Sequence, residues 1–250
     1  ASDGSIFVGG RFTRIGGVFR NGIAKLDFNG AVLSSFNSNI DQLVNEVISL
    51  PNGKVFIGGR FGTPSGLRFA ARLNADGILD TTFNADQRVD TFVDGIGLHP
   101  DGRLFVYGNF FSQPVPSTLR KIYLLNSDGS VDESFVAGSR KGLMSVAEAI
   151  VRADGKVFLA GDFQNIDGNV RCSIALLNTD FSVDNSFRPF AVSKTNLGPE
   201  LLTSLVVQPD GRILIGGTFR QIDGNPIESI ARLNANGTLD PTFNARDVLF

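Results

Sequence analysis

A ten-residue pattern, written five times, constrains this chain more than any other feature. It reads Asn-Gly-Lys-Val-Phe-Ile-Gly-Gly-Arg-Phe at Asn52–Phe61 and returns at Asp3–Phe12, Asp101–Phe110, Asp154–Phe163 and Asp210–Phe219. Each copy is a turn dipeptide, a polar or small residue, three apolar residues, a small pair that is usually Gly-Gly, one variable position and a Phe. The second members of the pairs, Gly10, Gly59, Gly108, Gly161 and Gly217, lie 49, 49, 53 and 56 residues apart. Self-similarity at such a period signals a repeat architecture.

The segment 44–84 is the clearest repeat. Val47–Leu50 is apolar and ends at Pro51 and Asn52-Gly53; Lys54–Gly59 follows at once. Asn-Gly between two apolar runs predicts a tight hairpin with a type I′ turn. Val55-Phe56-Ile57 is apolar at successive positions, so both faces of this second strand should be covered by protein. The Gly-Gly after it marks a bulge or a close backbone approach. A polar loop at Gly62–Leu67, a third strand at Ala70–Asn74, the turn Asp76-Gly77 and a fourth strand at Ile78–Phe83 complete a meander.

The other repeats place the third strand at Ile23–Asp27, Ile122–Asn126, Ile174–Asn178 and Ile230–Asn234. Their turns are Asn29-Gly30, Asp128-Gly129, Asp180-Phe181 and Asn236-Gly237, and among all five turns only Asp180-Phe181 lacks Gly. The closing strands end in Phe36, Phe83, Phe135, Phe187 and Phe243. Asp80, Asp132, Asp184 and Asp240 precede the last four of these, and Ser34 takes that place in the first repeat. With Lys25, Arg72 and Arg232 on the adjacent strand, the acids are expected to form structural ion pairs.

With no helical periodicity, the repeats (about 1–37, 44–84, 92–136, 146–188 and 202–244) imply an all-β fold: one propeller domain over 1–250, with about five four-stranded antiparallel blades. The first repeat has no first strand before Asp3-Gly4, so residues 245–250 are expected to complete that blade, closing the ring near the termini. That segment is short. Either closure is tight, or the sequence is part of a longer protein with more blades. The segment Arg188–Leu202 lengthens one join and is a candidate functional loop.

Formal charge is −2, pI is about 5.4 and no Lys/Arg run exceeds two residues, which argues against nucleic-acid and anionic-membrane partners. One cysteine, Cys172, excludes an internal disulfide framework and a cysteine-built zinc site. No apolar run approaches the roughly 20 residues of a membrane helix. The chain opens at Ala1 without a signal-peptide pattern, so either its start was trimmed or an export signal lies elsewhere.

Asp-Gly-x-Ile/Val-x-x-Gly-Gly-x-Phe followed by Ile-Ala-Arg-Leu-Asn-x-Asp-Gly-x-Leu-Asp-x-Thr-Phe-Asn resembles the delta-60 repeat, a bacterial β-propeller repeat of undetermined function. Asp210–Phe219 and Ile230–Asn244 state it nearly completely, and all five repeats are covered. The resemblance implies a propeller domain, commonly in large exported or surface proteins, and brings no active site with it. The di-glycine is also similar to kelch repeats, but those place a Tyr and a Trp after it, and this chain has no Trp.

No catalytic motif stands out. His99, the only histidine, occupies a place filled by the polar Arg152 and Gln208 in the last two repeats, and reads as a solvated hairpin residue. Cys172 has no second histidine to activate it and reads as a passive thiol. Asn74-Ala-Asp-Gly and Asn126-Ser-Asp-Gly lack the twelfth-position Glu of a calcium loop and read as turns. No metal and no cofactor is expected.

Six residues before the first turn stand Glu46, Gly95, Glu148 and Ser204, with Asp94 one step away. Carboxylates converging at a propeller axis would suit a cation or glycoside hydrolysis. Recurrence of every other residue for structural reasons favours a non-enzymatic binding or adhesion module instead, extracellular or on the cell surface, with a protein or glycan partner. Arg14, Arg68, Arg120, Arg171 and Arg220 lie in or beside the loops before the third strands and predict a basic rim there. A structural part of a virion or filament is a third reading.

Overall fold

The structure, a computed structural model, describes all residues except 2, 39, 64–65, 111–119, 138–144, 164, 167, 189–201, 223 and 244–250; the side chains of 67, 120, 121, 136 and 137 are likewise not described. The described strands run β1 (Ile6–Gly9), β2 (Arg14–Ile15), β3 (Val18–Phe19), β4 (Ile23–Leu26), β5 (Asp41–Ser49), β6 (Val55–Thr63), β7 (Gly66–Leu73), β8 (Val93–Leu98), β9 (Leu104–Phe110) and β10 (Arg120–Leu125). A five-residue helix, α1 (Glu133–Ala137), comes next. The chain continues as β11 (Glu148–Val151), β12 (Val157–Ala160), β13 (Asn165–Ile166), β14 (Asn169–Val170), β15 (Ile174–Leu177), β16 (Leu202–Val207), β17 (Ile213–Gly217), β18 (Gln221–Ile222), β19 (Asn225–Pro226) and β20 (Ile230–Leu233). Two compact units result: Ala1–Glu133 carries β1 to β10, and Ser134–Phe250 carries β11 to β20.

In the last four repeats the second strand is central, whereas in the first β1 and β4 make a two-stranded sheet. In the first unit the sheets are β1-β4, β5-β6-β7 and β10-β9-β8; in the second they are β11-β12-β15 and β16-β17-β20, all antiparallel. The consecutive apolar residues of β6, β9 and β12 are buried on both faces, as Val55, Phe56 and Ile57 illustrate, whereas Leu214 of β17 is half-buried and Ile6 of β1 is exposed. The expected fourth strand is reduced to single bridges: Leu26↔Val32, Leu73↔Leu79, Leu125↔Val131, Leu177↔Val183 and Leu233↔Leu239. Its closing Phe nevertheless packs edge-on against the Phe of the central strand, in Phe7–Phe36, Phe56–Phe83 and Phe158–Phe187, with centroids 5.1–5.3 Å apart. Such pairs add about 0.5–1.5 kcal/mol each beyond area burial, which accounts for the abundance of Phe.

The first turns are not type I′. Gly53 has φ +79° while Asn52 keeps a negative φ, the Gly53 N–H donates to Leu50 O at 3.0 Å, and the Leu50 N–H donates to Lys54 O at 2.8 Å. This is a three-residue hairpin turn with its last residue left-handed. Asn52 Oδ1 accepts the Lys54 N–H at 3.1 Å, as Asp101 does from Arg103, Asp154 from Lys156 and Asp210 from Arg212. Asp or Asn is selected here for its side-chain acceptor.

Both readings of the small pair are realised. A Cβ on Gly58 would stand 2.8 Å from Val93 and Ile96 of the next repeat, and one on Gly59 would collide with the Leu43 carbonyl across the sheet. The register shifts between Val44 and Glu46 in β5, between Val93 and Gly95 in β8 and between Leu202 and Ser204 in β16. Successive repeats also meet at the second turns: the Asn37 N–H donates to Asp76 O, Asn84 to Asp128 O and Arg188 to Asn236 O, at 2.8–2.9 Å. The turn without glycine has a partner of its own. Phe181 takes φ +64° and packs edge-on against Phe135 of α1, centroids 5.4 Å apart. Residues 245–250 and nearly all of the 188–202 insertion lie outside the described residues.

Candidate functional site

The repeated acids sit at the closing segments of the last four repeats, Asp80, Asp184 and Asp240 buried and Asp132 half-buried. Asp80 Oδ1 accepts from the Thr82 N–H and hydroxyl, while Oδ2 faces Lys54 Nζ at 2.8 Å and Arg72 Nε at 2.7 Å. Asp132 meets Arg103 at 2.6 Å, Asp184 meets Lys156 at 2.7 Å, and Asp240 meets Arg232 at 2.8 Å with Arg212 at 3.6 Å. Burial alone would raise Asp80, but hydrogen bonds from Lys54, Thr82 and Arg72 outweigh it and hold the carboxyl well below the usual carboxylate range. The same balance brings Asp184 to about 2. Hydrogen bonds from Thr242, then Arg232, bring Asp240 to about 2.

The third-strand partners Lys25, Arg72 and Arg232 were legible in the sequence. The cations immediately after the first turn, Lys54, Arg103, Lys156 and Arg212, were missed. A signal for them exists within the chain. That place is Lys or Arg wherever the closing segment carries Asp, and Ser5 where the closing residue is Ser34. In that first repeat Lys25 pairs with Asp3 of the turn, at 2.9 Å.

Glu46 and Glu148 occupy the same place in two repeats, and each reaches forward to the next. Glu46 Oε2 accepts the Ile96 N–H at 2.8 Å, and Glu148 Oε2 accepts the Leu205 N–H. Asn45, the bulged residue beside Glu46, donates to Val93 O at 2.8 Å. The following repeat has a small residue opposite each acid. A Cβ on Gly95 would collide with the Tyr107 hydroxyl and stand 2.6 Å from Glu46 Oε2. At the matching place Ser204 donates to Glu148. Burial pushes the Glu148 carboxyl up, offset in part by the Leu205 N–H and Ser204. Asp94 is the exposed bulge residue of β8. Both acids therefore bridge neighbouring repeats.

The loop expected between second and third strands is itself regular in three repeats. β2–β3, β13–β14 and β18–β19 are two-stranded hairpins of one plan, anchored in the C-terminal unit by the buried Ile166 and Ile222. Asn169 and Asn225 each donate back to the Ile carbonyl three residues earlier. Ile-Asp-Gly-Asn at 166–169 and 222–225 was the sequence signal. In the second repeat β6 and β7 instead continue as one long hairpin.

The five arginines do not occupy one equivalent position. Arg14 is exposed on β2, with its guanidinium 5.9 Å from the Phe19 ring and donating to Gly17 O. Arg68 is half-buried on β7 opposite Phe61, and Arg220 is exposed just before β18. Arg120 begins β10 opposite Phe110, and its side chain lies outside the described residues. Arg171 donates to Val170 O, Asp184 O and Asn185 Oδ1, tying its hairpin to the closing segment. Its counterpart is Arg20, which donates to Phe19 O and Leu33 O.

His99 departs from expectation. It is buried, edge-on to Phe105, with Nδ1 2.7 Å from Asp101 Oδ1. Cys172 is half-buried and unbridged. Among the described residues no group of three or more His, Cys, Asp or Glu side chains is placed to hold a metal, and no helix is long and apolar enough to cross a membrane.

The family profile described as "Domain of unknown function (DUF5122) beta-propeller" matches at residues 1–36, 50–83, 99–135, 152–187 and 208–243, and the chain belongs to this family. No curated protein matches it. Among solved structures it is similar to a protein of unknown function from Bacteroides caccae, at 11% identity and TM-score 0.46, over 88% of this chain and 74% of that one. It is also similar to YCF48 bound to D1 peptide, at 11% identity and TM-score 0.41, over 78% of this chain and 54% of that one. A third is PorZ, a surface component of the type-IX secretion system of Porphyromonas gingivalis, at 13% identity and TM-score 0.46. The alignment with PorZ covers 91% of this chain and 32% of that one.

Proposed function

We propose that this family member is a non-enzymatic binding or structural module of an exported or surface protein, each repeat forming one blade, with the outer hairpins offered to a protein or glycan. One observation carries the reading. The polar residues that recur by repeat, the acids with their cations, are engaged in holding the fold, whereas the exposed residues of the hairpins differ from repeat to repeat. Val18 and Phe19 on β3, Val170 on β14 and Pro226 on β19 are all exposed. Replacing 16–19, 168–170 and 224–226 by Ser-Gly tips should abolish capture of partners on a glycan array and in pull-downs from surface fractions. Unchanged binding would remove the idea.

A second reading is glycoside hydrolysis with Glu148 as the general acid. The raised Glu148 carboxyl favours it, since a general acid must hold its proton near neutral pH. Activity on common polysaccharides that vanishes in Glu148→Gln supports it, and an inactive wild type sinks it.

A further inference from the structure

The variable position of the ten-residue pattern is occupied by Arg11, Arg60, Asn109, Asp162 and Thr218. It precedes a Phe that is fully buried in four of the five repeats, so the alternation of a strand turns it outward. Arg11, Arg60, Asn109 and Thr218 are exposed. The fold fixes where this side chain points and leaves its identity free.

In the first two repeats the identity is arginine, and the two residues share one row. Arg11 forms a bridge to Leu43, and Leu43 is the register partner of Arg60. At a strand spacing of about 4.8 Å, the two arginines flank Leu43 at roughly 10 Å from each other. The Arg60 guanidinium lies 5.0 Å from the ring of Phe92, which is 43% exposed at the head of the next repeat. The row therefore reads Arg11, Leu43, Arg60, Phe92 across three repeats of the N-terminal unit, with the exposed Asp94 beyond its end.

Two like charges on one row repel each other, and the Phe92 contact of Arg60 is the one ring contact described for the pair. Elsewhere Lys25, Lys54, Arg72, Arg103, Lys156 and Arg232 are held in ion pairs; among the described residues neither Arg11 nor Arg60 has one. The protein is acidic overall, so general basicity does not explain the row. Arginine forks match carboxylates in bidentate geometry, and arginine with aromatic residues is enriched at the centres of protein interfaces. Leu43 separates a protein partner from an anionic polysaccharide. A hydroxylated sugar chain would desolvate against that aliphatic centre without gain, whereas an apolar side chain between two acids would fit it.

We infer that the row Arg11–Leu43–Arg60–Phe92 is a docking surface for an acidic polypeptide segment carrying interspersed apolar side chains. The inference rests on the binding-module reading and specifies its partner. Fluorescence anisotropy with the whole chain and a labelled Glu/Tyr copolymer tests it, with polyglutamate, alginate and dextran sulfate as comparison probes. The copolymer should bind more tightly than polyglutamate. Arg11→Glu with Arg60→Glu should weaken it by at least about tenfold, and Phe92→Ser by several-fold. Ala31→Glu, an acid added at an exposed turn position elsewhere, should leave it within about twofold. All four changes are at exposed positions, so unchanged thermal melting verifies folding.

Copolymer binding that is absent in wild type or unaltered by the row variants overturns the inference. So does arginine-dependent binding of the polysaccharides but not of the copolymer. If the hairpin tips prove necessary for partner capture and the row variants do not, the module reading stands and this inference falls. If the row is necessary and the tips are not, this inference stands and the hairpins are removed as the binding surface.

Discussion

Glu148 shows how the same carboxylate supports a structural and a chemical account, and substitution separates them. Its oxygen accepts the Leu205 N–H, and Gln keeps that acceptor while removing a partly buried charge. Glu148→Gln should therefore leave stability at neutral pH unchanged or slightly raised, whereas Glu148→Ala, which orphans the N–H, should cost about 1–3 kcal/mol. The pH sense follows from a folded pKa above the unfolded one. The carboxyl favours the fold fully below its unfolded value, and that contribution is lost as pH rises through the folded value. Urea unfolding should accordingly show the Gln variant gaining on wild type as pH rises above the unfolded glutamate value of about 4.3. Gly95→Ala is the complementary change: its Cβ would meet the Tyr107 hydroxyl and Glu46, costing about 1–3 kcal/mol by overpacking, read in the same assay. The position of these acids was legible from their constant distance to the turn. Their partners were not, because Ile96 lies 50 residues from Glu46 and Leu205 lies 57 from Glu148, with nothing polar in either side chain to mark the pairing.

At the scale of elements, what the sequence disclosed depends on whether the signal is local. Central strands were readable because three adjacent apolar residues need cover on both faces, and turn glycines because of backbone sign. Fourth strands were overcalled: Ile78–Phe83 alternates like a strand, yet only Leu79 makes a bridge, because Asp80 and Thr82 turn the backbone toward a side-chain acceptor. The hairpins β13–β14 and β18–β19 were underread, their Ile-Asp-Gly-Asn tips being shorter than the runs that advertise a strand. α1 and Asp180-Phe181 were each an unexplained irregularity; together they explain one another, since Phe181 fills against Phe135 the place that a glycine turn occupies against a backbone elsewhere. Their energies can be parted. Phe181→Gly loses the aromatic contact but frees the φ of +64°, whereas Phe181→Ala loses the contact and keeps the strain. Thermal unfolding should place Gly above Ala by about 1 kcal/mol. The opposite order would show that unfolded-state entropy, not backbone sign, governs this turn.

At the scale of the molecule, repetition turns a local ion pair into a collective titration. Asp86, Asp184 and Asp240 are held at about 2, and Asp3, Asp80 and Asp101 also lie well below the ordinary carboxylate range. Their folded values are depressed, so each contributes stability that is complete above the unfolded pKa near 3.9 and is lost as pH falls through the folded value. Because the same contact recurs at Asp80, Asp184 and Asp240, their losses fall in one window instead of being spread along the pH axis. Urea midpoints should be flat from about pH 5 to 7 apart from the opposing trend of Glu148, then fall steeply between about pH 4 and 2. For Asp184, the depression to about 2 corresponds to roughly 2.6 kcal/mol at most; with Lys156 one-third exposed and screened, on the order of 1–2 kcal/mol is expected. Asp184→Asn should lower stability by that amount at pH 7 and converge on wild type near pH 2, with a shallower acid limb. Parallel curves for the two proteins across pH 2–7 would mean that the Lys156 pair adds nothing to the fold, and that packing of the closing Phe residues alone holds the segments in place.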